Sequence, residues 1–439
     1  MKKLKKFLAI IISISIYFSS NLISFADPSS GYFWPEAPEI SSDAGIVIDA
    51  NSGAVLFSKN MKAINYPASI TKLMTVLLVL ENCSLDDVVT FSHEAVFSIE
   101  PGSSHIAINV GEQLSVEQCL YGILLGSANE VSNAVGEHVG NGDIDVFIEM
   151  MNQKAKDLGC VNTHFMNPHG LHDKDHYTCP YDMALITKEL LRYDTFRTIS
   201  GSASYVIPPT NIQPETRYLN NTHKMISDKA YLYEGVEGGK TGFTDQALNT
   251  LVTYAKRDNI EVIVVTMHGN LTHYSDTKTL LDYSFNNFKA HSIAKNEPLL
   301  TVPQNSSDTE NGFFSSPDSI VTVNSSDNVV LPKTVDFSDA KATIHVDTSA
   351  DGKSYIEYTY NNMKVGIGEL KISQSSNNAF DFTKENVVSP LSEKIFKIVV
   401  AVVVIVALLL LGLYIRKIIL IRRHKNRFTT KKTILNFKK

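Results

Sequence analysis

The chain has 439 residues, 44% of them apolar and 20% charged, with 46 acidic against 40 basic side chains. That is globular composition at the length of two or three domains, and it excludes a disordered, collagen-like or polytopic membrane protein. Four lysines stand in residues 1–26 and ten bases in residues 416–439, neither stretch holding an acid, so the segment between carries 26 bases against all 46 acids, a net −20; nucleic-acid affinity rests on basic patches, and this segment is excluded as a nucleic-acid binder.

A basic start, Met1-Lys2-Lys3-Leu4-Lys5-Lys6, precedes an apolar run over 8–18 and small residues at Ser24 and Ala26. This pattern predicts a secretory signal peptide over residues 1–26. Alternating apolar residues over 45–49 and 54–59 flank Asn51-Ser52-Gly53 and predict a hairpin. Helical periodicity follows over 70–80, 116–125, 129–139, 146–158 and 180–191, with Pro180 suited to a first turn. Strand patterns return over 248–256 and 260–268 around the turn Lys256-Arg257-Asp258-Asn259, and 274–288 reads as helix. Early and late strands enclosing helices predict an α/β (α+β) domain over residues 27–290, with one mixed sheet and a helical subdomain.

Polar, turn-rich segments then alternate with short strand patterns over 320–323, 342–346, 355–360 and 365–372, which predicts a small all-β domain over 297–385. Residues 398–415 contain no charge and no proline. As a helix they cover ~27 Å, close to the ~30 Å hydrocarbon thickness, and predict a transmembrane helix. The bases that follow at once, Arg416 and Lys417 foremost, put the tail 416–439 in the cytoplasm and the bulk of the chain outside, bound to the lipid bilayer by one span. Four cysteines, Cys83, Cys119, Cys160 and Cys179, allow three disulfide pairings and form no CxxC pair; they read first as packing residues.

The chemistry begins at Pro67-Ala68-Ser69-Ile70-Thr71-Lys72, where a strand-rich segment turns into an apolar helix and a spacing of three puts Lys72 on the face of Ser69. A serine hydroxyl is a weak nucleophile that needs an adjacent base, and a lysine supplies one once burial or cationic neighbours favour the neutral amine. The helix N-terminus adds N–H groups suited to an oxyanion. S-x-x-K also starts at Ser275, Ser292 and Ser338, but only Ser69 opens a strongly apolar helix. Ser127-Ala128-Asn129 lies between two helices, where a hydroxyl and an amide face one cleft as a proton relay and a substrate hydrogen-bonding group. S-x-N recurs at Ser326-Asp327-Asn328. The single K-T-G of the chain, Lys240-Thr241-Gly242, offers a fixed positive charge and a hydroxyl for a carboxylate, and a glycine that leaves room for a peptide along the strand.

In the order S-x-x-K, S-x-N, K-T-G these residues form the motif set of penicillin-binding proteins and class A β-lactamases. The chain resembles the serine-type D-alanyl-D-alanine carboxypeptidases, low-molecular-mass penicillin-binding proteins. Gly102-Ser103-Ser104, the stretch Asn167 to Asp173 (NPHGLHD), His176-Tyr177 and Lys240 to Asp245 (KTGFTD) carry the likeness further. It is dense over residues 38–290 and looser beyond.

The resemblance implies a β-lactamase/transpeptidase-like fold, with Ser69 as acylated nucleophile, Lys72 as its base and Ser127 as relay to the leaving D-alanine. Asn129 would orient the peptide, Lys240 and Thr241 would hold its carboxylate with Gly242 alongside, and the N–H groups of Ser69 and Phe243 would form the oxyanion hole. The implied substrate is the peptidoglycan pentapeptide stem, with β-lactams as covalent inhibitors and no cofactor or metal. The alternatives are a β-lactamase, for which no deacylating glutamate is assignable between Asn129 and Lys240, and a non-catalytic wall-binding receptor. Ala128 and Glu130 depart from the usual Gly and Asp, and Gln246-Ala247-Leu248 from Glu-Ala-Gly; all are expected at the cleft rim. His164, His169, His172 and His176, with Asp173 and Asp175, match no standard zinc spacing and read as a solvated loop.

Overall fold

A computed structural model describes residues 34–297, 319–345 and 354–374. The expected signal peptide, transmembrane helix and cytoplasmic tail lie outside the described residues, as do parts of 297–385. Among the described residues no helix is long and apolar enough to cross a membrane.

The hairpin of β1 (Ala44–Asp49) and β2 (Val55–Lys59) forms where alternation predicts it. The chain then leaves the sheet for a run of helices: α1 (Lys72–Asn82), α2 (Val116–Leu124), α3 (Asn129–Val139), α4 (Ile144–Asp157), α5 (Pro180–Leu190) and α6 (Asp194–Ser200). Two small hairpins punctuate them, β3 (Val88–Thr90) with β4 (Gln113–Ser115) and β5 (Ser204–Ile207) with β6 (Arg217–Asn220). The meander β7 (Val236–Thr244), β8 (Leu248–Arg257) and β9 (Ile260–Gly269) closes a five-stranded sheet of order β2-β1-β9-β8-β7, and α7 (His273–Asn287) follows. Every neighbouring pair is antiparallel, so the sheet is not mixed as the sequence suggests. Short turns join only antiparallel strands, which fixes both hairpin-built halves, and the β1–β9 seam is antiparallel too.

Both faces of this sheet are covered, and the side-chain period of two divides its residues between them. Ile46 and Ile48 of β1 and Ile263, Val265 and Met267 of β9 join the core under the helices; Val47, Val262 and Val264 join a second core with Leu280 and Leu281 of α7. This is why β9 reads as an unbroken apolar run. Helix α1 passes through the larger core with Lys72 to Val79 all buried. At about 25 cal/mol per Å² of apolar surface removed from water, a helix buried on all sides stabilises the fold through both of its faces.

A second sheet runs β10 (Phe288–Ser292), β12 (Asn328–Pro332), β15 (Met363–Gln374), β14 (Tyr355–Tyr360) and β13 (Lys341–His345), with β11 (Ser319–Val323) also on β15. Two of its strands escape the sequence patterns. Phe288 prolongs the apolar period of α7, yet it leaves the helix and starts β10 directly. The β12 run Asn-Val-Val-Leu-Pro does not alternate because Val329 and Leu331 enter one core and Val330 the other.

Candidate active site

Ser69 sits in a single 3-10 turn (Ala68–Thr71), and α1 begins only at Lys72, two residues later than the periodicity predicts. The turn is forced by its neighbours. Ala68 is held at φ +51°, a left-handed conformation that costs a residue with a Cβ roughly 1–2 kcal/mol. Thr250 of β8 donates to the Pro67 carbonyl at 2.8 Å. On one side, a Cβ placed on Gly170 would stand 1.9 Å from the Ala68 carbonyl oxygen; on the other, one on Gly242 would stand 2.9 Å from the Ser69 nitrogen and 2.4 Å from Thr250 Oγ1. Gly242 is therefore required for strand β7 to close against the serine turn, a different reason from the open peptide track expected of it.

Lys72 is fully buried, and its Nζ has three neighbours: Ser69 Oγ at 3.0 Å, Asn129 Oδ1 at 2.6 Å and the His169 carbonyl oxygen at 2.6 Å. Two of these accept only. A neutral amine donates one N–H to each and keeps its lone pair for the Ser69 hydroxyl. Burial, reinforced by the charge of Lys240 and opposed by Glu130, holds this amine well below the ordinary lysine range. The N-terminus of α1, unfavourable to a cation by about 0.3–1 kcal/mol, acts in the same direction. Both effects favour the neutral amine and suit Lys72 to act as a base on Ser69.

Ser127 lies two residues before α3 at φ +56° and is buried, and Lys240 Nζ donates to its Oγ at 3.0 Å and to the Thr241 carbonyl at 3.0 Å. Lys240 is 1% exposed, and burial brings it down to about 7. Asn129, first residue of α3, donates its own N–H to the Ser104 carbonyl, which ties the Gly102-Ser103-Ser104 segment to the site. Thr241 Oγ1 lies 3.0 Å from Thr222 Oγ1. The Phe243 side chain is 59% exposed at the open end of β7. Ser69, Lys72 and Asn129 therefore form one cluster, Ser127 and Lys240 a second, and Thr241 with Thr222 a third along the same strand.

The histidine stretch is not a solvated loop. Asn167 Oδ1 accepts the N–H groups of His169 and Gly170, an Asx turn that delivers the His169 carbonyl to Lys72, while Thr75 donates to the Pro168 carbonyl at 2.6 Å. His169 and His176 are buried; His164 is half-buried, with Nδ1 2.7 Å from the Asp175 carbonyl, and His172 is exposed. The Met166 N–H donates to His176 Nδ1, so the neutral ring carries its proton on Nε2 and donates it to Thr71 at 2.8 Å. Burial takes His176 down to about 3 and His169 well below its usual range. Their neutral rings build the wall behind the base.

The departures expected at the rim are mostly interior. Ala128 and Glu130 are buried, and Glu130 Oε1 accepts the Ile106 N–H at 2.7 Å. Ala247 is buried, Leu248 is half-buried at φ +52°, and Gln246 alone is exposed. Sequence reasoning missed Thr222, and also His223, which is fully buried beneath Gly239 with Nε2 2.8 Å from Thr253 Oγ1. The short polar segment around them has no periodicity to mark it. The four cysteines are free thiols, all buried except the half-buried Cys83.

The sequence and the fold have counterparts among known proteins. A family model described as D-alanyl-D-alanine carboxypeptidase matches residues 32–270. The chain is 34% identical over 260 residues to the D-alanyl-D-alanine carboxypeptidase DacF of Bacillus subtilis, covering 57% of this chain and 64% of that protein. It is 31% identical over 268 residues to DacA of Escherichia coli, covering 58% and 63%. The chain thus spans somewhat less than two thirds of these curated relatives. Its fold is similar to a crystal structure of a Streptomyces DD-transpeptidase, with TM-score 0.53 and 27% identity over 57% of this chain and 100% of that one. A D-alanyl-D-alanine carboxypeptidase structure from Mycobacterium tuberculosis gives TM-score 0.53 and 26% identity, over 60% and 96%.

Proposed function

The chain belongs to the D-alanyl-D-alanine carboxypeptidase family, and from that premise we propose that it removes the terminal D-alanine from peptidoglycan pentapeptide stems through an acyl-enzyme on Ser69. The observation that carries this reading is the Lys72 amine, fixed by two carbonyl acceptors with its lone pair left for Ser69 Oγ. Lys72 takes the hydroxyl proton as Ser69 Oγ bonds to the carbonyl carbon of the penultimate D-alanine. The carbonyl oxygen, now negative, is met by the N–H groups of Ser69 and Phe243. As the C–N bond breaks, Ser127 gives its proton to the departing nitrogen and receives in turn the one Lys72 took from Ser69, while Lys240 behind it steadies the negative charge that builds on the Ser127 oxygen. The terminal carboxylate rests on Lys240, Thr241 and Thr222. Water then attacks the ester carbon, Lys72 accepting its proton and passing it to Ser69 Oγ as the ester C–O bond breaks, and the shortened stem leaves. A proton-transfer group of this kind contributes about 10²–10⁴-fold in rate.

A β-lactam presents an amide, here strained by its ring, and a carboxylate in the same relation, and acylates Ser69. The enzyme acts outside the cell in wall biogenesis, exported by residues 1–26 and held by a span over 398–415; this rests on the charge and hydropathy of those stretches. In the order of the sequence, the small β domain expected over 297–385 falls between the catalytic domain and that span.

The full chain is incubated with a fluorescent penicillin and, separately, with a D-Ala-D-Ala pentapeptide. Persistent labelling that is lost in Ser69→Ala, together with D-alanine release, is expected. Rapid loss of label with hydrolysed penicillin would identify a β-lactamase instead, and binding without label or release would identify a wall receptor.

A further inference from the structure

At the opposite ends of the two helices that carry the candidate site, a different set of side chains converges. Helix α1 starts at Lys72 and is capped by Cys83; α3 starts at Asn129 and carries His138 in its last turn. Cys83 Sγ, a carboxylate oxygen of Asp87 and a ring nitrogen of His138 all lie within 4.8 Å of one another. Each is held by an anchored backbone. The Cys83 N–H donates to Val79; the Asp87 N–H donates to Ser84 and its carbonyl accepts from Val116. The Ser84 N–H occupies one oxygen of Asp87, which leaves the other oxygen for a further partner.

We propose that Cys83, Asp87 and His138 form a site for a zinc-class divalent ion that staples the C-terminal ends of α1 and α3. A thiolate, an imidazole and a carboxylate suit a borderline ion such as Zn²⁺ and not Mg²⁺ or Ca²⁺, which take oxygen ligands. A tetrahedron with these ligands has edges of about 3.3–3.8 Å, so a side-chain adjustment of about 1 Å closes the observed group around an ion. Binding replaces the thiol proton: Cys83–SH and Zn²⁺ give a zinc thiolate and one H⁺. The Asp87 carboxylate then balances the second positive charge, and water fills the fourth position. Eleven helical residues, ~16 Å, separate this site from Lys72, so the ion bears on helix placement and takes no part in the reaction. No spacing in the sequence announces it, since Cys83 and His138 meet only because α1 and α3 pack together.

The test follows thermal unfolding of the reduced full chain with Zn²⁺, and with Mg²⁺ for comparison. At a hundredfold excess over its Kd, Zn²⁺ raises Tm by about 5 °C or more, and Mg²⁺ does not. Co²⁺ in its place gives a thiolate-to-metal charge-transfer absorbance. His138→Gln, at an exposed position, keeps the metal-free Tm and loses the Zn²⁺ shift; Cys83→Ser loses the Co²⁺ band. A Zn²⁺ shift that persists in His138→Gln, or wild-type protein without the Co²⁺ band, overturns the proposal. If Cys83→Ser fails to fold, His138→Gln and the wild-type spectrum still decide it.

Discussion

The Oδ1 of Asn129 accepts a hydrogen bond of 2.6 Å from Lys72 Nζ, so the last residue of the S-x-N motif is committed to the base as well as to the cleft. A carboxylate in that place would favour the charged ammonium. An opposite charge at such range raises a lysine by about 1–3 pH units. Asn129→Asp is therefore expected to move the acidic limb of penicillin acylation upward by that amount and to cost about 10–1000-fold at pH values below the wild-type limb. Recovery of the rate at alkaline pH separates this electrostatic effect from simple loss of structure. A variant slow at every pH would show that Asn129 serves only to bind substrate.

Glu130 gives the opposite sign. Its buried carboxyl, pushed up by burial, nevertheless favours the Lys72 cation. Glu130→Gln keeps the shape and an oxygen for the Ile106 N–H while removing the charge. Lys72 then loses its proton at lower pH, and the acidic limb of acylation moves downward. The rate above that limb changes little. An upward movement would mean that Glu130 does not carry charge when Lys72 is protonated.

Lys240 sets the other limb. With its proton leaving at about 7, the free enzyme offers a cation to a substrate carboxylate below that pH and a neutral amine above it. Substrate binding above pH 7 must therefore take up a proton, and kcat/KM for a D-Ala-D-Ala peptide falls toward tenfold per pH unit. The same peptide with an amidated C-terminus lacks the partner charge and shows no such fall. In folding the sign reverses: between about 7 and the unfolded value of 10.5 the unfolded chain binds the extra proton, so this group makes the fold more stable as pH rises.

Residue type and period made much of this legible. Ser69, Lys72, Ser127, Asn129 and Lys240 are polar groups at fixed offsets inside apolar patterns, and the structure gathers them into two hydrogen-bonded clusters. What stayed hidden acts through backbone or through burial. His169 contributes a carbonyl, which no side-chain motif encodes, and Glu130 looks like a surface residue of an amphipathic helix until α3 is packed on every side. The start of α1 was misplaced because Ile70 fits a helical period, whereas the left-handed Ala68 depends on Gly170 and Gly242, far away in sequence.

Leu248 is the clearest case of a residue at odds with its local backbone. It opens β8 at φ +52°, paired with Thr244 across the tight turn from β7, in the region glycine enters without a Cβ penalty. Leucine there carries roughly 1–2 kcal/mol of strain, and glycine returns about 0.5–1 kcal/mol of that through a more flexible unfolded chain. The side chain is only half-buried, so little packing is lost. Leu248→Gly is expected to stabilise the fold by about 0.5–1 kcal/mol, a Tm rise of about 1–4 °C, with the acylation rate preserved because the substitution lies beyond Lys240, Thr241 and Gly242. If Tm falls instead, the leucine makes contacts worth more than its backbone strain. If Tm rises and acylation slows, the strained turn itself holds the open end of β7 in place for the substrate.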